Sequence, residues 1–190
     1  RISGAEKSDS LSDGGGMRLS NSNPTLTHVT ISGNTAREQG GGMYLNGSNP
    51  TLSNVTISGN TLYSDDSWSY GGGMYIRSSN PTLNNVTISN NNAKYGGGIY
   101  LKDSHLTLTH VTISGNTADH GGGMFLDQYG SSDPKLANSI IWSNSPESIK
   151  LYYGSEPIIT YSDIEGGWEG EGNIDADPLF TDPENGDYTL

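Results

Sequence analysis

The sequence predicts an all-β solenoid, because one repeated pattern occupies most of its length. Gly-Gly-Gly triplets begin at positions 14, 40, 71, 96 and 121, a period of about 25 residues with one long insertion. A fixed period in this range is typical of solenoids. Apolar and polar residues alternate within each copy, and β-branched residues, Gly and Pro dominate, which favours strands over helices. No 3.6-residue apolar stripe is present.

Each repeat predicts three short strands joined by tight turns. In one copy the inward residues are Leu26, then Val29 and Ile31, then Met43 and Leu45, with polar or aromatic residues between them. Pro, Gly-Asn and the Gly triplet mark the turns. Stacked copies therefore predict five inward ladders: Leu26, Leu52, Leu83, Leu108, Leu136 and Ile159; Val29, Val55, Val86 and Val111, continued weakly by Ser139 and Ser162; Ile2, Ile31, Ile57, Ile88, Ile113, Ile141 and Ile164; Met17, Met43, Met74, Ile99, Met124 and Ile149; and Leu19, Leu45, Ile76, Leu101, Leu126 and Leu151.

A sixth ladder is polar and lies at one turn. Stacked Asn side chains can hydrogen-bond along such a column, so we interpret it as structural. Its members are Asn34, Asn60, Asn91, Asn116 and Asn144.

Composition limits the classes of function. Only 31% of the 190 residues are hydrophobic, which suits a solenoid because each coil buries its apolar residues against its neighbours. The net charge of −12 argues against binding to nucleic acid or to anionic membrane surfaces. Thiolate metal sites are excluded because Cys is absent. No apolar run approaches the roughly 20 residues that span a bilayer, so no membrane insertion is predicted.

The repeated words Thr-Ile-Ser-Gly-Asn and Gly-Gly-Gly-Met-Tyr carry a family resemblance. They resemble the bacterial right-handed parallel β-helix repeat proteins and are similar to the repeats of chlamydial polymorphic outer-membrane proteins. Residues 173–188 (NIDADPLFTDPENGDY) resemble the segment that closes the former group. The resemblance implies a right-handed parallel β-helix of about six coils on an extracellular or cell-surface protein. This fold hosts lyases, hydrolases, adhesins and surface fibres.

Two parts of the chain are distinguished. Residues 1–164 carry the β-helix repeats, and residues 165–190 form an acidic, non-repetitive segment expected to pack on the last coil or extend it.

Residues 187–190 align with residues 23–26, and residues 1–4 align with residues 30–33. The repeat is therefore cut part-way through a coil at Arg1 and at Leu190. This indicates either a fragment of a longer chain or subunits that stack end to end into a fibre through these open coils.

An aromatic residue recurs at one outward position of the repeat. Aromatic faces stack on sugar rings and anchor protein partners, which predicts a binding surface for an extracellular glycan. The alternative is that the rings stack on one another for stability. The residues are Tyr44, Tyr75, Tyr100 and Phe125.

The longest insertion, residues 61–70, is a second candidate binding element. Insertions into single repeats often map to the binding face. Its aromatic residues Tyr63, Trp68 and Tyr70, together with Asp65 and Asp66, predict a glycan held between rings and carboxylates. A tolerated loop without function is the alternative.

Support for catalysis is limited to one set of residues. Arg77 and Lys102 occupy equivalent positions on adjacent coils, and Asp127 follows on the next. Polysaccharide cleavage uses a basic side chain together with carboxylates, so these three form the best catalytic candidate. The alternative is that these side chains form a row of solvated charges on the surface without a catalytic role, and we assign no catalytic residue.

The acidic tail predicts a possible calcium site, with no cofactor otherwise required. Carboxylate oxygens are hard ligands that suit Ca²⁺. The spacing matches no calcium-loop signature, and solvation of a non-repetitive end segment is the alternative. The candidate ligands are Asp175, Asp177, Asp182 and Asp187.

These patterns predict an extracellular or cell-surface rod with a structural or adhesive role. A module that binds or cleaves an extracellular polysaccharide is the alternative. Regular Thr files beside the Leu ladder resemble those of ice-binding solenoids and give a minor alternative. The first file contains Thr25, Thr51, Thr82 and Thr107.

Overall fold

The computed structural model of the protein describes residues 1–4, 13–63, 68–127, 132–152 and 154–190. Within these ranges the secondary structure is strand and turn, apart from one 3₁₀ turn at Pro183–Asn185. No helix in the described part of the chain is long and apolar enough to cross a membrane. In chain order the strands are β1 (Ile2–Ser3), β2 (Met17–Ser20), β3 (Thr25–Thr27), β4 (Thr30–Ser32), β5 (Thr35–Ala36), β6 (Met43–Asn46), β7 (Thr51–Ser58), β8 (Thr61–Leu62), β9 (Met74–Arg77), β10 (Thr82–Ser89), β11 (Ile99–Lys102), β12 (Thr107–Ser114), β13 (Met124–Leu126), β14 (Lys135–Ala137), β15 (Ile140–Trp142), β16 (Ile149–Leu151), β17 (Ile158–Thr160) and β18 (Asp163–Ile164).

The strands form two long parallel sheets and one short one. The main sheet has ten strands and runs β1-β4-β7-β10-β12-β14-β17, with β3, β15 and β18 attached to it. The second sheet runs β16-β13-β11-β9-β6-β2, and β5 pairs with β8 in a two-stranded sheet. Every strand pairs with its equivalent in the adjacent coil. This confirms the predicted all-β parallel solenoid of about six coils.

All five apolar ladders are confirmed by the strand register. In the central coils their members are buried almost completely and form one continuous core. The Val ladder becomes polar toward its end. Ser139 Oγ accepts a hydrogen bond from Val111 N at 3.0 Å, and Ser162 Oγ accepts one from Ser139 N at 3.2 Å. The serines thus replace apolar packing with hydrogen bonds between coils.

The first two predicted strands of each repeat merge into one eight-residue strand in β7, β10 and β12. One residue near the middle of each takes a left-handed backbone conformation, which turns the chain around a corner of the coil without ending the strand. Asn and His adopt this conformation more readily than β-branched residues do. The corner residues, with φ between 49° and 55°, are His28, Asn54, Asn85, His110, Asn138 and Tyr161.

The Asn ladder is present as predicted. Asn60 Nδ2 donates to Asn91 Oδ1 at 2.9 Å, and Asn91 Nδ2 donates to Asn116 Oδ1 at the same distance. Each Oδ1 also accepts a backbone N–H from the preceding coil, as Asn91 Oδ1 does from Asn60 N at 2.9 Å. These side chains are buried, and they satisfy buried backbone groups at the turn.

A second polar ladder follows the second sheet and was not predicted. Ser48 N donates to Ser79 Oγ at 2.8 Å, and Ser79 N donates to Ser104 Oγ at 3.2 Å. Each hydroxyl donates in turn to a carbonyl two residues earlier, such as that of Lys102 for Ser104. Serine is common in turns for several reasons, so its recurrence in the sequence did not indicate a hydrogen-bonded ladder.

The Gly triplets allow adjacent coils to approach closely at one turn. A Cβ on Gly97 would lie 2.5 Å from the carbonyl oxygen of Thr117 and 2.8 Å from that of Gly122. Real Cβ atoms do not approach backbone oxygens this closely, so a side chain would push the coils apart. The triplet is thus a packing requirement of the solenoid.

Residues 165–190 fold against the end and the outer face of the solenoid. Trp168 packs against the core at the last coil, and Ile174 pairs with Asp163. The chain then returns along the main sheet, where Tyr188 Oη donates to Asn90 Oδ1 at 3.3 Å. Residues 187–190 do not form a coil strand as their alignment with residues 23–26 indicated. Thr181 N instead donates to Thr189 O at 2.9 Å, and Leu190 is exposed.

Candidate functional site

A groove of about 380 Å³ on the outer face of the second sheet is the best candidate site. It brings together residues from three separate sequence predictions: the aromatic ladder, the insertion, and the row of Arg77, Lys102 and Asp127, which we call the charged file. Its lining residues are Gln39, Trp68, Tyr70, Tyr75, Arg77, Tyr95, Tyr100, Lys102, Phe125, Asp127 and Tyr152.

The floor of the groove contains Tyr75, Tyr100 and Phe125 of the predicted aromatic ladder, whereas Tyr44 lies outside the lining. Tyr44, Tyr75, Tyr100 and Phe125 stack with centroid separations of 5.3, 5.4 and 5.3 Å and with nearly parallel planes. Arg18 covers the free face of Tyr44, with its Cζ 4.6 Å from the ring centroid. The four rings are only 4–5% exposed. Because their faces contact one another, these rings present edges, rather than open faces, to the groove.

An outer aromatic stack forms one wall. Tyr70, Tyr95 and His120 pair by parallel bridges between coils, and their ring centroids are 5.3 Å apart at both steps. Trp68 lies at the end of this stack, 6.2 Å from Tyr70, and is 62% exposed. Sequence reasoning missed Tyr95 and His120. The signal was that Tyr70, Tyr95 and His120 each directly precede a Gly triplet.

The charged file runs along the other side of the groove. Arg77 and Lys102 are direct register partners on β9 and β11, as the sequence predicted. Lys102 Nζ lies 3.7 Å from Asp127 Oδ2. Tyr152 extends the file by one coil, because its backbone N–H donates to Leu126 O.

Asp127 is the buried carboxylate of the groove. It is 5% exposed and accepts a hydrogen bond from the Tyr100 hydroxyl. Burial raises the pKa of Tyr100, and the bond to Asp127 raises it further, so the phenol stays protonated and keeps donating. Burial likewise raises the pKa of Tyr75. The groove therefore holds a fixed carboxylate between a phenol and an ammonium group.

Arg77 gives the groove a second cationic group. Its side chain is exposed, and within the described ranges no carboxylate lies at ion-pair distance from it. Like charges on adjacent strands are unfavourable, so Arg77 beside Lys102 favours an anionic group between or above them. The guanidinium is suited to bind such a group through two hydrogen bonds.

The insertion contributes only part of its predicted residues. Trp68 and Tyr70 line the groove, whereas Tyr63 is exposed and lies outside the lining. Asp65 and Asp66 fall outside the described residues. The structure thus places two of the three predicted aromatic residues of the insertion at one site.

The four candidate calcium ligands are not brought together. Asp175 Oδ1 accepts from Gly166 N, and Asp177 Oδ1 accepts from Leu179 N. Asp182 Oδ2 accepts from the amide of Asn185, and Asp187 Oδ1 accepts from Thr189. In the described part of the chain no three His, Cys, Asp or Glu side chains are arranged to hold a metal ion. Calcium binding stays a prediction.

Comparison with known proteins agrees with this architecture. The chain matches the sequence profile of the right-handed beta helix region family twice, over residues 2–131 and 85–172. Comparison with curated proteins and with solved structures gives no match. The two matched ranges together span most of the 190 residues, and the strand register within them is that of a parallel β-helix. The chain therefore belongs to the right-handed beta helix family.

Proposed function

We propose that the protein is an extracellular or cell-surface adhesive rod that binds a glycan in the groove. The observation that carries this proposal is the pair of exposed aromatic rings that flank the charged file. Trp68 lies at one end and Tyr152, which is 41% exposed, lies at the other. The charged residues Arg77, Lys102 and Asp127 lie between them.

The dimensions of the groove suit an extended oligosaccharide that lies along the solenoid axis. From Arg77 to Tyr152 the file advances three coils, or about 14 Å at a strand spacing of about 4.8 Å. A volume of about 380 Å³ is within the usual range for ligand sites. Exposed aromatic faces stack on sugar rings, while Asp127 can accept hydrogen bonds from hydroxyl groups and Arg77 can bind an acidic group.

Binding fits the charged file better than cleavage does. Lys102 Nζ lies 3.7 Å from Asp127 Oδ2, so the basic side chain of the file is held in an ion pair rather than directed at a substrate. No second carboxylate lines the groove in the described part of the chain. Binding without cleavage is the behaviour expected of an adhesive module.

The shape of the molecule supports the mechanical role. A solenoid whose coils are joined by apolar, Asn and Ser ladders is rigid along its axis. A rod of this kind holds its binding groove away from the surface that carries it.

A glycan array followed by titration tests the proposal. Wild type is expected to bind at least one acidic or neutral extracellular polysaccharide. Trp68→Ala and Tyr152→Ala are each expected to weaken binding about 3- to 10-fold, since a stacked ring contributes about 0.5–1.5 kcal/mol. Tyr161→Ala, an equally exposed aromatic residue outside the groove, is the matched control.

Three results would count against the proposal. If no glycan binds, or if Tyr161→Ala loses as much affinity as the groove variants, the groove is not a glycan site. If the protein cleaves an acidic polysaccharide and Arg77→Ala or Lys102→Ala abolishes the cleavage, the polysaccharide-cleaving alternative replaces the adhesive one.

The Thr file supports a second candidate function, ice binding. Thr25, Thr51, Thr82 and Thr107 are exposed and paired in register on adjacent strands. Asn84 breaks the neighbouring Thr file. A freezing-hysteresis measurement with no effect at millimolar concentration would remove this candidate.

A further inference from the structure

The aromatic ladder and the outer aromatic stack contact each other and form one network of rings. Tyr70 connects them, because its ring centroid lies 4.7 Å from that of Tyr100 and 5.3 Å from that of Tyr95. Trp68 joins the network at Tyr70, with a centroid separation of 6.2 Å. The exposed indole of Trp68 is thus connected to the buried phenol of Tyr100 through a single ring.

Packing of the ladder does not require the hydroxyl group of Tyr100. Phe125 occupies the equivalent position on the next coil, and its ring stacks on Tyr100 at 5.3 Å with nearly parallel planes. The Tyr100 hydroxyl instead donates to the carboxylate of Asp127, which is buried. A buried carboxylate is costly even when it is hydrogen-bonded and paired. Stacking alone therefore does not explain why Tyr100 and Asp127 occur together.

The bond between these two side chains gives Tyr100 a proton acceptor. A phenol that loses one electron becomes a strong acid, so its oxidation is favoured where a base can take the proton. The proton of Tyr100 can move to Asp127 within their hydrogen bond. In the described part of the chain no carboxylate accepts a hydrogen bond from Tyr44 or Tyr75, the other tyrosines of the ladder. Tyr100 is thus the ladder residue that is best prepared for oxidation.

Charges beside the ladder favour a positive charge on Tyr100 over one on Tyr75. The Asp127 carboxylate contacts the Tyr100 hydroxyl and stabilises a positive charge there, whereas the Arg77 guanidinium near Tyr75 opposes one. Lys102 offsets part of the effect of Asp127, because Lys102 Nζ lies 3.7 Å from Asp127 Oδ2. Transfer of the proton to Asp127 is therefore needed in addition to the favourable charge.

The two exposed ends of the network differ in how well they connect to Tyr100. Tyr152 reaches it only through Phe125, whose ring centroid lies 5.8 Å from that of Tyr152. A ring without a hydroxyl group is much harder to oxidise than a phenol or an indole, so Phe125 interrupts this route. Trp68 reaches Tyr100 through Tyr70, which is a phenol. Oxidation is therefore expected to enter at Trp68.

We propose that Tyr100 and Asp127 form a redox site, at which Tyr100 becomes a tyrosyl radical when an oxidant reacts at Trp68. A one-electron oxidant in solution, such as a high-valent metal complex, takes an electron from the indole and is reduced. Tyr70 relays an electron from Tyr100 to Trp68, and the Tyr100 proton moves to Asp127. The indole is restored, and a small reductant such as ascorbate later returns an electron to Tyr100 while Asp127 returns the proton. The site protects the exposed indole of the groove from irreversible oxidation.

Flash photolysis with tris(bipyridine)ruthenium and an irreversible electron acceptor tests the proposal. In wild type we expect a tryptophan-radical absorbance to decay into that of a tyrosyl radical, which persists because Tyr100 is 4% exposed. Tyr100→Phe keeps the ring, as Phe125 does on the next coil. This variant is expected to lose the long-lived tyrosyl signal and to accumulate oxygenated Trp68, which peptide mass spectrometry measures.

Tyr161→Phe is the matched control. The Tyr161 hydroxyl also donates to a carboxylate, that of Glu171, but this tyrosine is 54% exposed and lies at a corner of the coil outside the ring network. Removal of its hydroxyl is expected to leave the long-lived radical of Tyr100 and the amount of oxygenated Trp68 unchanged.

Two further variants separate the electron step from the proton step. Trp68→Phe removes the entry point and keeps a ring, so the yield of the long-lived radical is expected to fall. Asp127→Asn keeps a hydrogen-bond acceptor but removes the base, so formation of the radical is expected to slow and to lose its solvent isotope effect. A purely structural role of these residues predicts neither change. Circular dichroism of each variant establishes that it folds.

The proposal is wrong if wild type forms no long-lived tyrosyl radical, if Tyr100→Phe still forms it, or if Tyr161→Phe loses it. An unchanged yield in Trp68→Phe, or an unchanged rate in Asp127→Asn, overturns the roles assigned to these two residues. The experiment does not involve a glycan, so its failure and the failure of the groove proposal are distinguishable.

Discussion

Individual polar residues determine how one coil is attached to the next. Asn91 illustrates this most fully, because its amide bonds two side chains and two backbone groups on the adjacent coils. Each of these groups is buried and has no access to water. Removing one Asn therefore leaves several buried groups without partners.

Asn91→Ala is expected to lower the free energy of unfolding by about 3 kcal/mol or more, because a buried donor without an acceptor costs about 1–3 kcal/mol. Asn60 N and Asn60 Nδ2 both lose their acceptor. Urea unfolding followed by circular dichroism measures the change. Asn92→Ala, at the exposed neighbouring position, is the control and is expected to change stability by less than about 1 kcal/mol. Equal losses for the two variants would contradict this role of the Asn ladder.

Asp163 makes stability depend on pH. Burial raises the pKa of Asp163, and Asp175 and Asp177 add to the increase. The folded state therefore holds this proton more tightly than the unfolded state does. The contribution of the group to stability is complete below its ordinary pKa of 3.8 and is lost as pH rises through the folded pKa.

Asp163→Asn is accordingly expected to raise the melting temperature at pH 7 and to leave it nearly unchanged at pH 3. The Asn keeps an oxygen that accepts the hydrogen bond of Ala176 N. Thermal unfolding at the two pH values tests this directly. A variant that melts lower than wild type at pH 7 would show that the charged form of Asp163 is stabilising instead.

At the scale of single elements, glycine and the left-handed corner residues shape each coil. The Gly triplet lets the backbone of three consecutive residues lie in close contact with the next coil. The corner residue bends β7, β10 and β12 without breaking their hydrogen bonds. The Gly triplet recurs in five copies of the repeat, and the left-handed corner recurs in six coils although its residue varies between His, Asn and Tyr.

Gly97→Ala is expected to destabilise the protein by about 3 kcal/mol or more, because the added Cβ meets two carbonyl oxygens that cannot move without separating the coils. Gly33→Ala is the control. Gly33 has a positive φ but open space around it, so that variant carries only a backbone cost of about 1–2 kcal/mol. Unfolding free energies that rank the two variants in the opposite order would contradict the packing explanation of the triplet.

Sequence reasoning located the coil interior better than its surface. Ladder members such as Leu83 and Asn91 recur at a fixed spacing, and in-register stacking leaves one arrangement for them. The groove, in contrast, is formed partly by turn residues, and the repeat does not fix the identity of those residues. Tyr95 and His120 precede Gly triplets in different coils, and only the coil geometry shows that their rings stack on Tyr70.

The segment of residues 165–176 was the least accessible part of the structure to sequence reasoning. Residues 165–176 share no spacing with the repeat, so nothing in the sequence indicated that Asp175 would continue the Ile column. The alignment of residues 187–190 with residues 23–26 predicted another coil strand instead. Pairing within residues 181–189 removes that segment from the coil, since its backbone groups bond locally.

At the scale of the whole molecule, the solenoid is a rod that carries the groove on its second sheet. Charge is distributed unevenly over it. The outward residues of the main sheet strands β3, β4, β7, β10 and β12 carry no Lys, Arg, Asp or Glu, whereas the groove contains Arg77, Lys102 and Asp127. Recognition of a charged or polar ligand is therefore expected at the groove rather than on the main sheet.

Chemical-shift mapping with a bound oligosaccharide tests this central claim most directly. The ligand is the best binder from the array, added stepwise to isotope-labelled protein. We expect the amide signals of Trp68, Arg77, Lys102, Asp127 and Tyr152 to shift with one saturation curve, while those of Thr25, Thr51 and Thr82 stay in place. Shifts centred on the Thr file, or spread over both sheets without saturation, would contradict the assignment of the groove as the binding site.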